Sequence, residues 1–293
     1  MCVVAALGTP VSAHGVISET WNTPRALSPW DIAAVLVLTV AGLLYVRGTM
    51  VRRIRGAAPR RREWMAFACG WSTLMLAALP PIDARAIQQF SVHMVQHELM
   101  MLVAAPLIIA GRPIATVLWG LPSDWRGAVS RVLRAKGGGR LLLASSPLVA
   151  WAAHGLVIWL WHIPALYDAA VSNEAIHASQ HAMFVATAAL FWWGMLSGRY
   201  GRAGYGAAVF YVFTTVVHTG LLGAMLTLAP VPLYPIYATA AARNGHDALE
   251  DQQLAGLLMW IPAGTILTAL GIALCAAWLG EAARRQRITA PRS

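Results

Sequence analysis

Apolar residues run along this chain in long blocks, separated by short basic or turn-forming segments. Seven blocks are long enough to be read as bilayer-crossing helices, at about 30–48, 64–81, 91–111, 141–162, 175–197, 206–229 and 253–279, because a span needs roughly 20 apolar residues. No segment between them is large enough to bury a core of its own. The pattern predicts an all-α, polytopic membrane protein. Its seven-helix domain covers 25–280, with an outer N-terminal segment at 1–24 and a basic tail at 281–293.

Composition agrees. Of the 293 residues, 58% are hydrophobic and only 12% charged, against about 25% charged in an ordinary soluble domain. The net charge of +10 would suggest nucleic acid if it were spread evenly, but it is not. Nineteen of the 22 basic residues fall after span 1, between spans 3 and 4, between spans 5 and 6, or after span 7. Only Arg25, Arg85 and Arg243 fall on the other side. That asymmetry is the positive-inside signal, so the N-terminus is expected outside and the C-terminus in the cytoplasm. It accounts for the basic charge without nucleic acid.

Cys2, Cys69 and Cys275 are too widely spaced for a disulfide framework or a thiolate metal site. The first residues, "MCVVAALGTPVSAHG", resemble the end of a signal peptide cleaved after Ala13 but lack its basic start; cleavage would make His14 the N-terminus. Between spans 3 and 4, "LPSDWRGAVSRVLRAKGGGR" reads as an amphipathic helix lying at the headgroups. The outer segment 230–252 carries three prolines, two tyrosines, Asp247, Glu250 and Asp251, and is the candidate lid or docking surface.

Two pentads stand out against this background: "HMVQH" at 93–97 and "HASQH" at 177–181. Both open spans expected to run inward from the outer face, an alignment suggestive of an internal duplication. Histidines four apart share a helix face with side chains roughly 6 Å apart, the spacing of paired ligands in helical zinc sites. Two such helices offer four nitrogens, His93, His97, His177 and His181. At 1.5 Å per residue, His97 and His181 lie about 9–10 Å below the outer ends of their spans. His218, mid-span in helix 6, is the fifth candidate ligand. His154 and His162 lie in or at the end of span 4, and His246 in the outer loop; no histidine is expected on the cytoplasmic side.

The alternative for each is a plain interhelical hydrogen bond. His154 alone reads that way, and His162 reads equally as a helix cap. Unpaired imidazoles in lipid would cost a few kcal/mol each, so the pentads need partners. Gln96 and Gln180 can orient a ligand's second nitrogen or join helices. Glu98, an acid within a span, is a functional candidate by default. Imidazole suits zinc, copper, iron and nickel, whereas thioether favours Cu(I). Met100 and Met101 continue the His93–His97 stripe, and Met94, Met183, Met225 and Met259 lie in other spans or beside the pentads. Without thiolates, this set points towards copper, as Cu(I).

The stretches "HMVQHELMMLVAAPLIIAGRP", "WHIPALYDAA", "HASQHAMFVATAALFWWG" and "DQQLAGLLMWIPAG" resemble the seven-span, bacillus-type CtaG family of cytochrome c oxidase assembly factors, over roughly residues 25–280. The resemblance implies a role in maturing haem-copper oxidases by supplying copper, with cytochrome c oxidase subunits and a periplasmic copper donor as partners. It carries over to His93, His97, His162, His177, His181 and the Asp251-Gln252-Gln253 start of span 7.

Four readings follow. The first is a non-enzymatic, membrane-embedded copper metallochaperone for oxidase assembly. The second is a b-type haem-binding or haem-processing protein, since paired histidines on neighbouring spans also hold haem. The third is a metal-free assembly scaffold. A transporter is the weakest, because broken helices and midplane acids are not evident.

Overall fold

The computed structural model describes residues 28–134, 146–196 and 204–289, and these form helices and turns with no strand. His14, Ala13 and the 137–139 glycines lie outside the described residues. The helices are α1 (Pro29–Ile54), α2 (Arg61–Ala78), α3 (Pro80–Ala86), α4 (Phe90–Glu98), α5 (Ala105–Ala110), α6 (Pro113–Gly120) and α7 (Ser123–Arg134). They continue with α8 (Pro147–Trp161), α9 (Pro164–Ser172), α10 (Glu174–Leu196), α11 (Gly204–Leu228), α12 (Pro235–Asn244) and α13 (Ala248–Thr289).

Four stretches are long and apolar enough to cross a bilayer: Pro29–Ile54, Phe90–Ala110, Gly204–Leu228 and Ala248–Ala283. The α8–α9 pair makes a fifth if counted as one broken span. The other two expected blocks are helical but more polar than a simple span. Helix α2 opens on Arg61, Arg62 and Glu63, and α10 carries Glu174 and the whole second pentad.

Local sequence explains the boundaries. Ser28 and Asp31 form a reciprocal capping box ahead of Pro29, closing the start of α1. Between α8 and α9 the chain bends by 78°. Pro164 has no N–H to continue the helix and forces Ile163 into extended backbone, which places His162 at the corner.

Between α4 and α5 the helix widens into a π turn, Leu99–Ala104, in which the Ala105 N–H reaches back to the Met100 carbonyl. The next residue, Pro106, has no N–H for the Met101 carbonyl. The Trp192 indole of α10 donates to that carbonyl instead, at 2.8 Å. This π turn breaks the expected His-His-Met stripe. Met100 packs with Leu74 and Ala77 of α2, while Met101 turns towards a deeper cavity.

Helices meet at small residues, as is usual where lipid supplies no hydrophobic drive. Gly48 of α1 packs against the Thr116 carbonyl of α6, and Gly120 against the Leu44 carbonyl. Gly223 of α11 and Gly256 of α13 form a second close crossing. Leu36, Val37, Val40 and Leu43 of α1 remain exposed, as a lipid-facing surface requires. The expected amphipathic helix forms as α7, with Trp125 and Val132 exposed.

Basic residues gather at one end. Arg55 and Arg126 both cover the Trp119 ring, Arg52 donates to Thr116, and Arg112 pairs with Glu63 at 3.7 Å. The pentads lie away from this cluster, beside α3, α9, α12 and the start of α13.

Candidate metal centre

Helix α4 is held at its first turn by an acid from another helix. The Asp251 carboxylate accepts the backbone N–H groups of Phe90 (2.7 Å) and Ser91 (3.3 Å), and the Ser91 hydroxyl. A carboxylate at an N-terminus satisfies donors that no intrahelical carbonyl can reach and complements the helix dipole. Its neighbour Gln252 accepts the Leu233 N–H at 2.6 Å and donates to Leu226, tying the outer loop to α13. On α10, the Asn173 side chain accepts the N–H groups of Ala175 and Ile176. Both pentad helices thus start from fixed points.

The four pentad histidines converge. First faces first and second faces second: ring centroids are 5.2 Å apart for His93–His177 and 5.1 Å for His97–His181. The His93–His181 diagonal is 5.9 Å. Within each pentad the rings are 4.4 Å and 4.1 Å apart. One ligand atom from each of His93, His97 and His181 fits within a 4.8 Å span, and the same holds for Asp83, His177 and His181. His93 and His97 are almost wholly inaccessible, His177 is buried and His181 partly so.

Hydrogen bonds from behind choose the tautomers. The Tyr237 hydroxyl on α12 donates to the Ala86 carbonyl at 2.9 Å and lies 2.5 Å from His93 Nδ1. With its one proton on Ala86, the phenol accepts from Nδ1–H, which leaves the lone pair of His93 on Nε2. The Asp83 carboxylate lies 3.6 Å from His177 Nδ1 and favours a proton there, the tautomer that would turn the His177 lone pair at Nε2 towards His93. Those two Nε2 atoms are 3.3 Å apart. Two nitrogens each about 2.0 Å from one ion at the tetrahedral angle are about 3.3 Å apart. Both His97 nitrogens and His181 Nε2 are buried without a hydrogen-bond partner. The donor set fits one ion bound by imidazoles.

Aromatic rings close the space around it. Tyr167 lies 5.2 Å from His93 and Phe184 lies 4.7 Å from His97, centroid to centroid. Burial raises the Tyr237 hydroxyl well above the ordinary phenol value, so it stays protonated across the neutral range.

His218, the fifth candidate ligand, is not brought to the pentads. It sits on α11 with Nε2 against Gly155 of α8, because that glycine leaves room for a ring between the helices. His154 Nδ1 lies 3.1 Å from the Thr187 hydroxyl, the interhelical contact expected of it. His162 does cap, its Nδ1 donating to Ile158 at 2.7 Å, yet its Nε2 is buried without a partner and its ring lies 5.9 Å from Tyr167. His246 follows α12, its backbone N–H donating to Ala241. Gln96 acts as helix glue: it donates to the Ala77 carbonyl at 2.7 Å and to Asp83, not to a histidine.

Sequence reasoning missed Asp83 and the specific part of Tyr237. Asp83 sits in "PPIDARA", where a short helix after two prolines carried no visible signal. Tyr237 was one of two tyrosines in the outer segment, and nothing in the spacing aimed it at His93.

A family model described as cytochrome c oxidase caa3 assembly factor (Caa3_CtaG) matches residues 43–281, a stretch that includes both pentads, the corner at His162 and Asp251. No curated protein and no solved structure matches the chain. A match over most of the length identifies the chain: it belongs to the Caa3_CtaG family of cytochrome c oxidase assembly factors.

Proposed function

We propose that this protein is a non-enzymatic assembly factor that holds a copper ion between the two pentads and passes it to a cytochrome c oxidase subunit. The observation that carries the reading is the pair of Nε2 atoms 3.3 Å apart, with Tyr237 behind one ring and Asp83 behind the other. At that distance the two nitrogens share either a proton, as a hydrogen bond, or a metal ion, and the unpartnered nitrogens of His97 and His181 beside them favour the metal. The oxidase-assembly family supplies the reason to choose copper among the metals imidazole accepts. A haem held by this pair is disfavoured, since axial nitrogens on opposite faces of an iron stand about 4 Å apart, twice a bond of about 2.0 Å, with a macrocycle between them.

In this reading α2 and α10 complete seven crossings despite their polar ends, with the N-terminus outside and the basic end in the cytoplasm of a bacterial inner membrane. The pentads then lie near the periplasmic face. Helix α12 covers them through Tyr237, so a periplasmic donor loads copper as Cu(I) when that cover shifts, and release proceeds by exchange onto the oxidase. The test is a His93→Gln/His97→Gln strain. It should accumulate the protein in the membrane at normal levels and lose oxidase activity. Normal activity would overturn the copper reading, and would favour a metal-free scaffold if the wild type also binds no metal.

A further inference from the structure

Beyond the pentads, one residue further along the chain from His97, a cavity of ≈ 30 Å³ opens between α4, α8, α10, α11 and α13. Glu98, Met101, His154, Thr215, Thr219 and Met259 are among its walls, and none of the pentad histidines is. Its polar groups are specific. Thr187 donates its proton to the Met183 carbonyl at 2.8 Å, so it accepts from His154 Nδ1–H, and the lone pair of His154 is on Nε2. The Thr215 and Thr219 hydroxyls donate to carbonyls of their own helix, at 2.7 and 2.8 Å, and have no proton for the cavity. Glu98 Oε2 is buried with no hydrogen-bond partner. Among mostly apolar walls the cavity therefore gathers four side chains able to ligate a cation: the imidazole of His154, the carboxyl group of Glu98 and the thioethers of Met101 and Met259.

We infer that this cavity is a second cation site, for a soft monovalent ion of the Cu(I) or Ag(I) type. Thioether and imidazole together select soft cations over calcium, magnesium or manganese. A bound cation displaces the Glu98 carboxyl proton, and one carboxylate with a monovalent cation is then neutral as a pair, whereas a divalent ion would leave an uncompensated charge in a low-dielectric interior. The volume holds one ion and no chelate. The π turn sets the arrangement, because it takes Met101 off the pentad stripe and onto the same cavity wall as Glu98; such turns recur at functional sites. The inference rests on this lining and does not require the pentads to bind copper.

The test uses the full chain in detergent, stripped of metal, and loaded with Cu(I) under anaerobic conditions or with Ag(I) in air. Bound metal is counted by elemental analysis, and sulfur ligation is read from X-ray absorption. Met101→Leu/Met259→Leu keeps side-chain volume, and His93→Gln/His97→Gln disables the pentads. The wild type should show sulfur ligands, and the leucine pair should lose them together with one bound ion. The glutamine pair should retain a sulfur-ligated ion. A wild type without sulfur ligands, or a leucine pair with unchanged stoichiometry and spectrum, would overturn the second site while leaving the pentad reading intact. Loss of all metal in the leucine pair with none lost in the glutamine pair would sink the pentad reading and leave this one standing. Folding of each variant is checked by thermal unfolding.

Discussion

At the scale of single residues, the candidate centre depends on groups that never touch an ion. Tyr237→Phe removes the acceptor for His93 Nδ1–H and frees the wrong tautomer to form. Such supporting partners usually contribute 10–100-fold in affinity, so copper affinity should fall by about that factor while the fold survives. Competition with a Cu(I) chelator measures it, and an unchanged affinity would refute the tautomer argument. The effect should not vary with pH in the neutral range, because burial raises the Tyr237 pKa. The neutral phenol's contribution is complete below the ordinary phenol value and is lost only as pH rises from there through the raised one. Trp192→Phe tests a different bond. It strands the Met101 carbonyl that Pro106 cannot serve, and should cost about 1–3 kcal/mol of stability, read from thermal unfolding.

At the scale of elements, two devices fix the helices. Asp251 binds the first turn of α4 to α13, so Asp251→Ala loses an N-terminal cap worth about 0.5–2 kcal/mol. The same change should loosen the pentad, and copper affinity should fall with stability; a drop in stability alone would separate cap from site. Gly48→Ala drives a methyl into the Thr116 carbonyl across the α1–α6 crossing. Overpacking of this kind costs about 1–3 kcal/mol, and the damage should stay remote from the pentads, leaving copper binding per folded molecule unchanged.

Much of this scale was legible in the sequence. The i,i+4 histidines gave the pentad faces, the apolar blocks gave the long helices, and basic runs marked one end. Three features were not legible for physical reasons. A π turn leaves no periodic signature, because it depends on one missing N–H at Pro106 and an indole 91 residues from the carbonyl it serves. The bend at Ile163-Pro164 could be suspected from the proline, but its angle is set by packing. His218 has the residue type of a ligand and lies mid-span, and only Gly155 opposite it shows that it faces another helix.

At the scale of the whole molecule, charge and chemistry are segregated: arginines on tryptophan and threonine at one end, histidines away from them towards α12 and the start of α13. If that polarity is the membrane polarity, cysteines placed at exposed Thr239 and Trp125 should report opposite sides. A membrane-impermeant maleimide should label Thr239→Cys in intact cells, and Trp125→Cys only in inverted vesicles. Family membership gives the molecule its pathway, oxidase assembly.

The most direct measurement is the metal content and absorption spectrum of the purified chain beside its His93→Gln/His97→Gln variant. Copper in the wild type, one ion fewer per chain in the variant, and no haem band in either is the expected result. A haem band, or equal copper in both proteins, would contradict the central claim that the two pentads share one ion.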